Sequence, residues 1–135
     1  MIKKTLPSGE QVSAFPISIP QQFMYYMSAQ YGSNYPVNNI GMAYFIHGGI
    51  NEALMKEALY EAIARCDTMR LRFTRDEQYK ILQYVTEKSE MVIDTIDMSD
   101  ISFEEAKKKL QEISRKEIPV YDCEIHRISL IRFAD

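Results

Sequence analysis

Apolar residues recur at helical spacing in three stretches. Phe23, Met24, Met27 and Tyr31 predict a helix over 20–31, with Ser18 as its N-cap and Pro20 in its first turn. Leu54, Met55, Ala58, Leu59, Ala62, Ile63 and Cys66 form a wide stripe, with Lys56, Glu57 and Glu61 off it and Asn51 placed to cap its start. Such a stripe requires a sheet or a second helix to cover it. Phe103, Ala106, Leu110 and Ile113 form a third stripe. It follows Ser102-Phe103-Glu104-Glu105, a capping-box pattern worth about 0.5–2 kcal/mol to the helix it starts. Glu104 with Lys108, and Glu105 with Lys109, are i,i+4 pairs in the favourable order, and Pro119 ends the pattern.

Between these stretches lie short runs suited to strands. Ile40 to Gly48 contains Tyr44, Phe45 and Ile46 and is stopped by Gly48-Gly49. Met69 to Phe73 and Tyr79 to Val85 predict a hairpin around Arg75-Asp76-Glu77-Gln78, although that turn lacks the Asn-Gly or Asp-Gly chemistry that favours one. A further strand opens at Met91-Val92-Ile93 and ends near Asp97, and a last one spans Ile125 to Phe133. Phe15 to Pro20 is extended, because each proline drives the residue before it toward β geometry. Tyr31 to Pro36 reads as a loop. Residues 1–14, polar and holding Pro7 and Gly9, read as an N-terminal lead-in to one domain over 15–135. The expected order is strand, helix, strand, helix, several strands, helix, strand. That is an α/β fold, a mixed sheet with helices packed on it.

Composition narrows the function. A chain of 135 residues is one domain's worth and can bury about two-thirds of its unfolded surface. Its 46% apolar and 26% charged residues exclude disorder. With net charge −3 and mixed signs it lacks the basic face of a nucleic-acid protein, and Lys107-Lys108-Lys109 reads as a solvated helix face. Two cysteines make no disulfide framework, and Cys66, on the apolar stripe, reads as a buried reduced thiol. The N-terminus has no secretory apolar core, and no apolar run reaches the ~18 residues that span a bilayer, so a cytoplasmic setting is expected, with no membrane contact.

Candidate chemistry is sparse. His47 and His126 have no ligand cluster around them in sequence. No HExxH or CxxC spacing, Gly-rich phosphate loop or GxSxG elbow is present. Asp94, Asp97 and Asp100 read as caps and turn formers. The residues alone therefore predict no catalytic group, no metal and no bound cofactor.

Two segments say more. Ser18-Ile19-Pro20-Gln21-Gln22-Phe23-Met24-Tyr25-Tyr26-Met27 resembles SxAQxR(L/M)(W/Y)xL, the opening motif of condensation domains from nonribosomal peptide synthetases. Ser18, Gln21, Met24 and Tyr25 match; Pro20, Phe23 and Met27 depart from it. Arg65-Cys66-Asp67-Thr68-Met69-Arg70-Leu71-Arg72-Phe73 resembles RHExLRTxF, with Arg65, Arg70 and Phe73 matching and Cys66 standing where the family has His. Tyr121-Asp122 is similar to the family's PFD turn, and Ile125-His126-Arg127 with Leu130 to PLxRxxL. The resemblance covers about residues 15–133.

This resemblance implies one lobe of the chloramphenicol acetyltransferase-like (CoA-dependent acyltransferase) fold, in which two α/β lobes flank a substrate channel. It implies a parent that forms an amide or ester from a carrier-tethered acyl thioester, the acyl group arriving on phosphopantetheine or coenzyme A. The family's HHxxxDG motif is absent from the sequence, which ends before it, so no catalytic residue is carried over and the chain alone is expected to be inactive. Ser18 is expected to cap a helix, Gln21 and Tyr25 to pack, with lining of the channel as the alternative, and Arg65 and Arg70 to form buried or half-buried ion pairs. The implied partners are a carrier protein and the C-terminal lobe. The alternative is a non-catalytic module that dimerises or docks through the exposed lobe interface, and a third possibility is a piece of a longer gene product.

Overall fold

The computed structural model describes residues 2–6, 8–31 and 39–133, with Ser28 and Tyr31 described in backbone only. The loop expected at 31–36 lies outside these from residue 32 onward. Residues 2–16, expected mostly as a lead-in, are instead a hairpin of β1 (Ile2–Thr5) and β2 (Gln11–Pro16). Its turn closes through Leu6 N–H on Glu10 O at 2.8 Å, with Gly9 at a positive φ of 86° that glycine adopts without steric cost.

Helix α1 (Ile19–Tyr31) follows, then α2 (Glu52–Arg65). The Asn51 side chain accepts Leu54 N–H at 3.1 Å, as an N-cap should. A 3-10 turn over Asp67–Arg70 leads into β3 (Leu71–Arg75), which pairs with β4 (Ile81–Val85). Both strands start two residues later than the sequence pattern predicts, and β3 runs on to Arg75 while β4 ends at Val85 as expected. Asp76 supplies the missing turn chemistry: its Oδ1 accepts Gln78 N–H at 2.9 Å and Lys80 N–H at 2.8 Å, with Tyr79 held at φ 62°.

The four strands form an antiparallel sheet in the order β1-β2-β4-β3. Alternation sets its inner face: Val12 and Ala14 of β2 and Leu82 and Tyr84 of β4 are buried together, with Leu6 packed against them. The second sheet is β5 (Asp94–Met98) parallel to β6 (Ser129–Phe133), with Ile96 opposite Ile131. Parallel neighbours need a crossover, and α3 (Phe103–Arg115) is part of it. Ser102 and Glu105 form the reciprocal capping box that starts α3, and Ala106 is fully buried beneath it.

Several expectations fail for identifiable reasons. Ile40 to Gly48 is not a strand: it finds no ladder partner among the described residues, and Ile40, Met42, Tyr44, Phe45 and Ile46 are all exposed. β propensity describes a fit to neighbouring strands and cannot act without them. On α2 only Ile63 of the long stripe is buried, and Leu54 is 61% exposed. Cys66 is exposed and free, because it caps α2 outside that stripe's buried end. The strand expected from Met91 begins at Asp94, and the one expected from Ile125 begins at Ser129, which leaves His126 outside it. No ion pair joins Glu104 to Lys108 or Glu105 to Lys109 among the described residues, since the Glu105 carboxylate is held by Ser102.

The exposed apolar surface has a global counterpart. A compact monomer of 15.7 kDa should expose about 7,300 Å² by the usual mass scaling. This chain exposes 10286 Å². It therefore buries about 55% of its extended-chain surface instead of the expected two-thirds.

Candidate functional site

The residues singled out in the opening motif sit where α1 meets the four-stranded sheet. Ser18 N–H donates to Gln21 Oε1 at 2.7 Å, and Gln21 N–H reaches Ser18 Oγ at 3.4 Å. This is the reciprocal cap of a helix start, so the motif's Ser and Gln are a folding signal. Gln21 does more. Its Nε2 donates to Gln83 Oε1 at 2.7 Å, while Gln83 Nε2 donates to Pro16 O at 3.1 Å. One relay of amides thus fastens α1 to β4 and β2.

Tyr25, one turn further along α1, accepts a hydrogen bond at 2.8 Å from Arg75 Nη2, which also donates to Tyr121 Oη at 2.9 Å. The guanidinium lies 4.3 Å from the Tyr121 ring centroid, a cation–π distance, and the Tyr25 and Tyr121 rings meet edge to face at 6.2 Å. Burial, then the hydrogen bond with Tyr25, raises the Tyr121 phenol to about 12.

The two motif arginines divide. Arg70 is only 13% exposed in its side chain: Nη1 donates to Thr86 O at 2.6 Å and Glu87 O at 2.9 Å, and Nη2 to Asp67 Oδ1 at 2.6 Å. It staples the 3-10 turn to the end of β4. Arg65 is 78% exposed and pairs only with Glu61, one helical turn back, at 2.7 Å. Arg65 makes no buried or half-buried ion pair among the described residues, because α2 ends with Arg65 on its solvent side, whereas Arg70 is half-buried with its partner Asp67 77% exposed.

Beneath lies a network that sequence reasoning missed. The Asp122 carboxylate accepts from Lys4 Nζ at 2.6 Å, Tyr84 Oη at 3.0 Å and Thr74 Oγ1 at 3.1 Å, joining β1, β4 and β3 at one point. Asp122 N–H donates to Phe73 O at 2.7 Å, and Tyr121 bridges to Phe73, so the 121–122 turn lies along the free edge of β3. Burial pushes the Asp122 carboxyl up, but hydrogen bonds from Lys4, Tyr84 and Thr74 outweigh it and hold the group below its ordinary value. Burial, then the Asp122 charge, drives the Tyr84 phenol well above its own. Arg72, almost fully buried in β3, pairs with Glu124, which also accepts Ser89 Oγ at 2.8 Å and Glu90 N–H at 2.9 Å. The only sequence signal for this network was the Tyr121-Asp122 similarity to a family turn.

The histidines stay apart. His47 is exposed. His126 is half-buried, its Nε2 is sealed without a protein partner, and burial pushes its pKa down. No serine, cysteine or carboxylate lies in a general-base relation to either imidazole among the hydrogen bonds described. Asp97 forms a turn with Ser99, its Oδ1 accepting the backbone N–H at 2.9 Å. Among the described residues no cluster of three or more His, Cys, Asp or Glu could hold a metal, and no helix is long and apolar enough to cross a membrane. The geometry is that of a scaffold: cap, relay, clasp and staple hold α1, the sheet and the 121–124 segment together.

Comparison with known proteins decides what scaffold it is. The condensation domain family matches residues 12–135. The chain belongs to the condensation domain family. Surfactin synthase subunit 1 of Bacillus subtilis (strain 168) is 28% identical over 123 residues, covering 89% of this chain and 3% of that protein. Among solved structures, the starter condensation domain of the rhizomide synthetase RzmA, as a double mutant, superposes with a TM-score of 0.72 at 16% identity over 90% of this chain and 30% of that one. A second double mutant of the same domain, in complex with C8-CoA, gives 0.71 at 16% identity, over 90% of this chain and 28% of that one. The fold is thus the chloramphenicol acetyltransferase-like α/β fold of condensation domains, and the chain spans under a third of such a domain's structure. It is part of a condensation domain of the nonribosomal peptide synthetase type.

Proposed function

We propose that this chain is the N-terminal lobe of a condensation-type acyltransferase. The parent joins a carrier-tethered acyl thioester to an amine or alcohol, giving an amide or ester. The family match over residues 12–135 carries this reading, together with the reciprocal Ser18–Gln21 cap at the motif position. Phosphopantetheine or coenzyme A brings the acyl group as substrate; the C8-CoA complex of the RzmA domain supports that donor class. A carrier protein and the C-terminal lobe are the partners the reading requires.

By itself the chain is inactive. Its sequence contains no HHxxxDG, and His126 Nε2 has no hydrogen-bond partner among the described residues. Losing a general acid or base costs about 10²–10⁴ in rate, and losing substrate positioning about 7–11 kcal/mol. The test is an acyl-transfer assay with carrier-loaded donor and a panel of amines and alcohols. No product above the buffer background is expected, and turnover by this chain overturns the reading.

One observation favours a second reading, a non-catalytic module that dimerises or docks. Ile40, Met42, Tyr44, Phe45 and Ile46 form a contiguous exposed apolar run of the kind that marks interfaces. Light scattering on the purified chain separates the two: a stable dimer favours the module, a monomer the isolated lobe.

A further inference from the structure

Arg75 has no carboxylate partner among the described residues. Both of its described hydrogen bonds leave from Nη2, to Tyr25 and Tyr121, so the N–H groups of Nη1 and Nε have no protein acceptor among the described residues. The neighbouring acids are committed elsewhere: Asp76 closes its own turn, and Asp122 takes Lys4, Tyr84 and Thr74. Nor is the guanidinium free to wander, because two phenols and a ring face fix its plane. The phenol oxygens accept from Arg75, and two phenols cannot each donate to the other, so at least one phenol proton of the cluster remains to be donated. A fixed planar fork with unused donors beside a phenol O–H suits an oxyanion with more than two acceptor oxygens.

We propose that Arg75, Tyr25 and Tyr121 form a binding site for the oxyanion of a phosphate ester on the outer side of the α1–β3 junction. A carboxylate meets the fork with two oxygens in the fork's own plane, whereas a phosphate ester carries additional oxygens out of that plane that reach toward the phenol as well. This concerns binding alone and stands whether or not the chain takes part in acyl transfer.

The experiment titrates inorganic phosphate, coenzyme A and phosphate-free pantetheine into the 135-residue chain at fixed ionic strength, following the Tyr25 and Tyr121 ring resonances by NMR. Saturable shifts are expected with coenzyme A, with affinity falling at least about tenfold in Arg75→Gln and severalfold in Tyr25→Phe. Saturation by inorganic phosphate as well identifies the free anion as a sufficient ligand; saturation by coenzyme A only identifies the ester. Pantetheine should shift neither ring. Shifts that grow linearly without saturation, appear equally with pantetheine, or persist in Arg75→Gln overturn the proposal. Should Arg75→Gln fail to fold by circular dichroism, Arg75→Lys decides. It keeps the charge and loses the fork, so reduced affinity in a folded protein supports the site and unchanged affinity overturns it.

Discussion

Lys4 Nζ lies 2.6 Å from Asp122 Oδ1, an ion pair between residues 118 positions apart that fastens the first strand to the turn beside β3. Because hydrogen bonds hold the Asp122 carboxyl below its ordinary value, the pair links stability to pH. A carboxyl depressed in the folded state stabilises fully above its unfolded pKa of about 3.9, and that stabilisation is lost as pH falls through the folded value. The urea midpoint should therefore fall between about pH 5 and pH 3, and Asp122→Asn should flatten that slope. The side chain is 43% exposed, so screening limits the effect to about 1 kcal/mol. Equal slopes in both proteins would contradict the assignment.

The buried Arg72–Glu124 pair should be costlier to break. Glu124→Gln or Arg72→Ala leaves its partner uncompensated in the interior, and a loss of about 3–5 kcal/mol is expected by urea unfolding. A double-mutant cycle with Arg72→Met and Glu124→Leu should recover a large part of it.

The arginines of the second motif should separate cleanly. Arg70→Ala removes hydrogen bonds to the Thr86 and Glu87 carbonyls and should cost about 1–3 kcal/mol. Arg65→Ala, exposed and paired only within its own helix, should leave the unfolding midpoint unchanged within error.

The thiols should differ in reactivity. Cys66 is exposed, and hydrogen bonds from Thr68 and then from the Met69 backbone lower its pKa; Cys123 is partly covered, and burial raises its pKa. Alkylation near pH 7.5 should modify Cys66 first. Faster labelling of Cys123 would contradict this arrangement.

What the sequence disclosed follows from range. The caps of α1, α2 and α3 are readable because Ser18, Asn51 and Ser102 each act within one helical turn. β1 is not legible because its pairing with β2 depends on a turn through Ser8-Gly9 whose sequence signals also fit an irregular lead-in. Ile40 to Ile46 was over-read because a β-rich run does not reveal whether a neighbouring strand exists. Arg65 and Arg70 look alike in the motif; the 3-10 turn between them decides which one is buried. The Asp122 and Glu124 networks join residues 34 to 118 positions apart, and no local pattern encodes such pairings.

The most direct test supplies a separately expressed second lobe carrying HHxxxDG in trans and measures acyl transfer from a carrier-loaded donor. If this chain is one lobe of a condensation domain, product forms in the mixture and not with this chain alone. Product formed at the same rate by this chain without the second lobe would mean that it holds a complete reaction centre of its own, and would contradict the account.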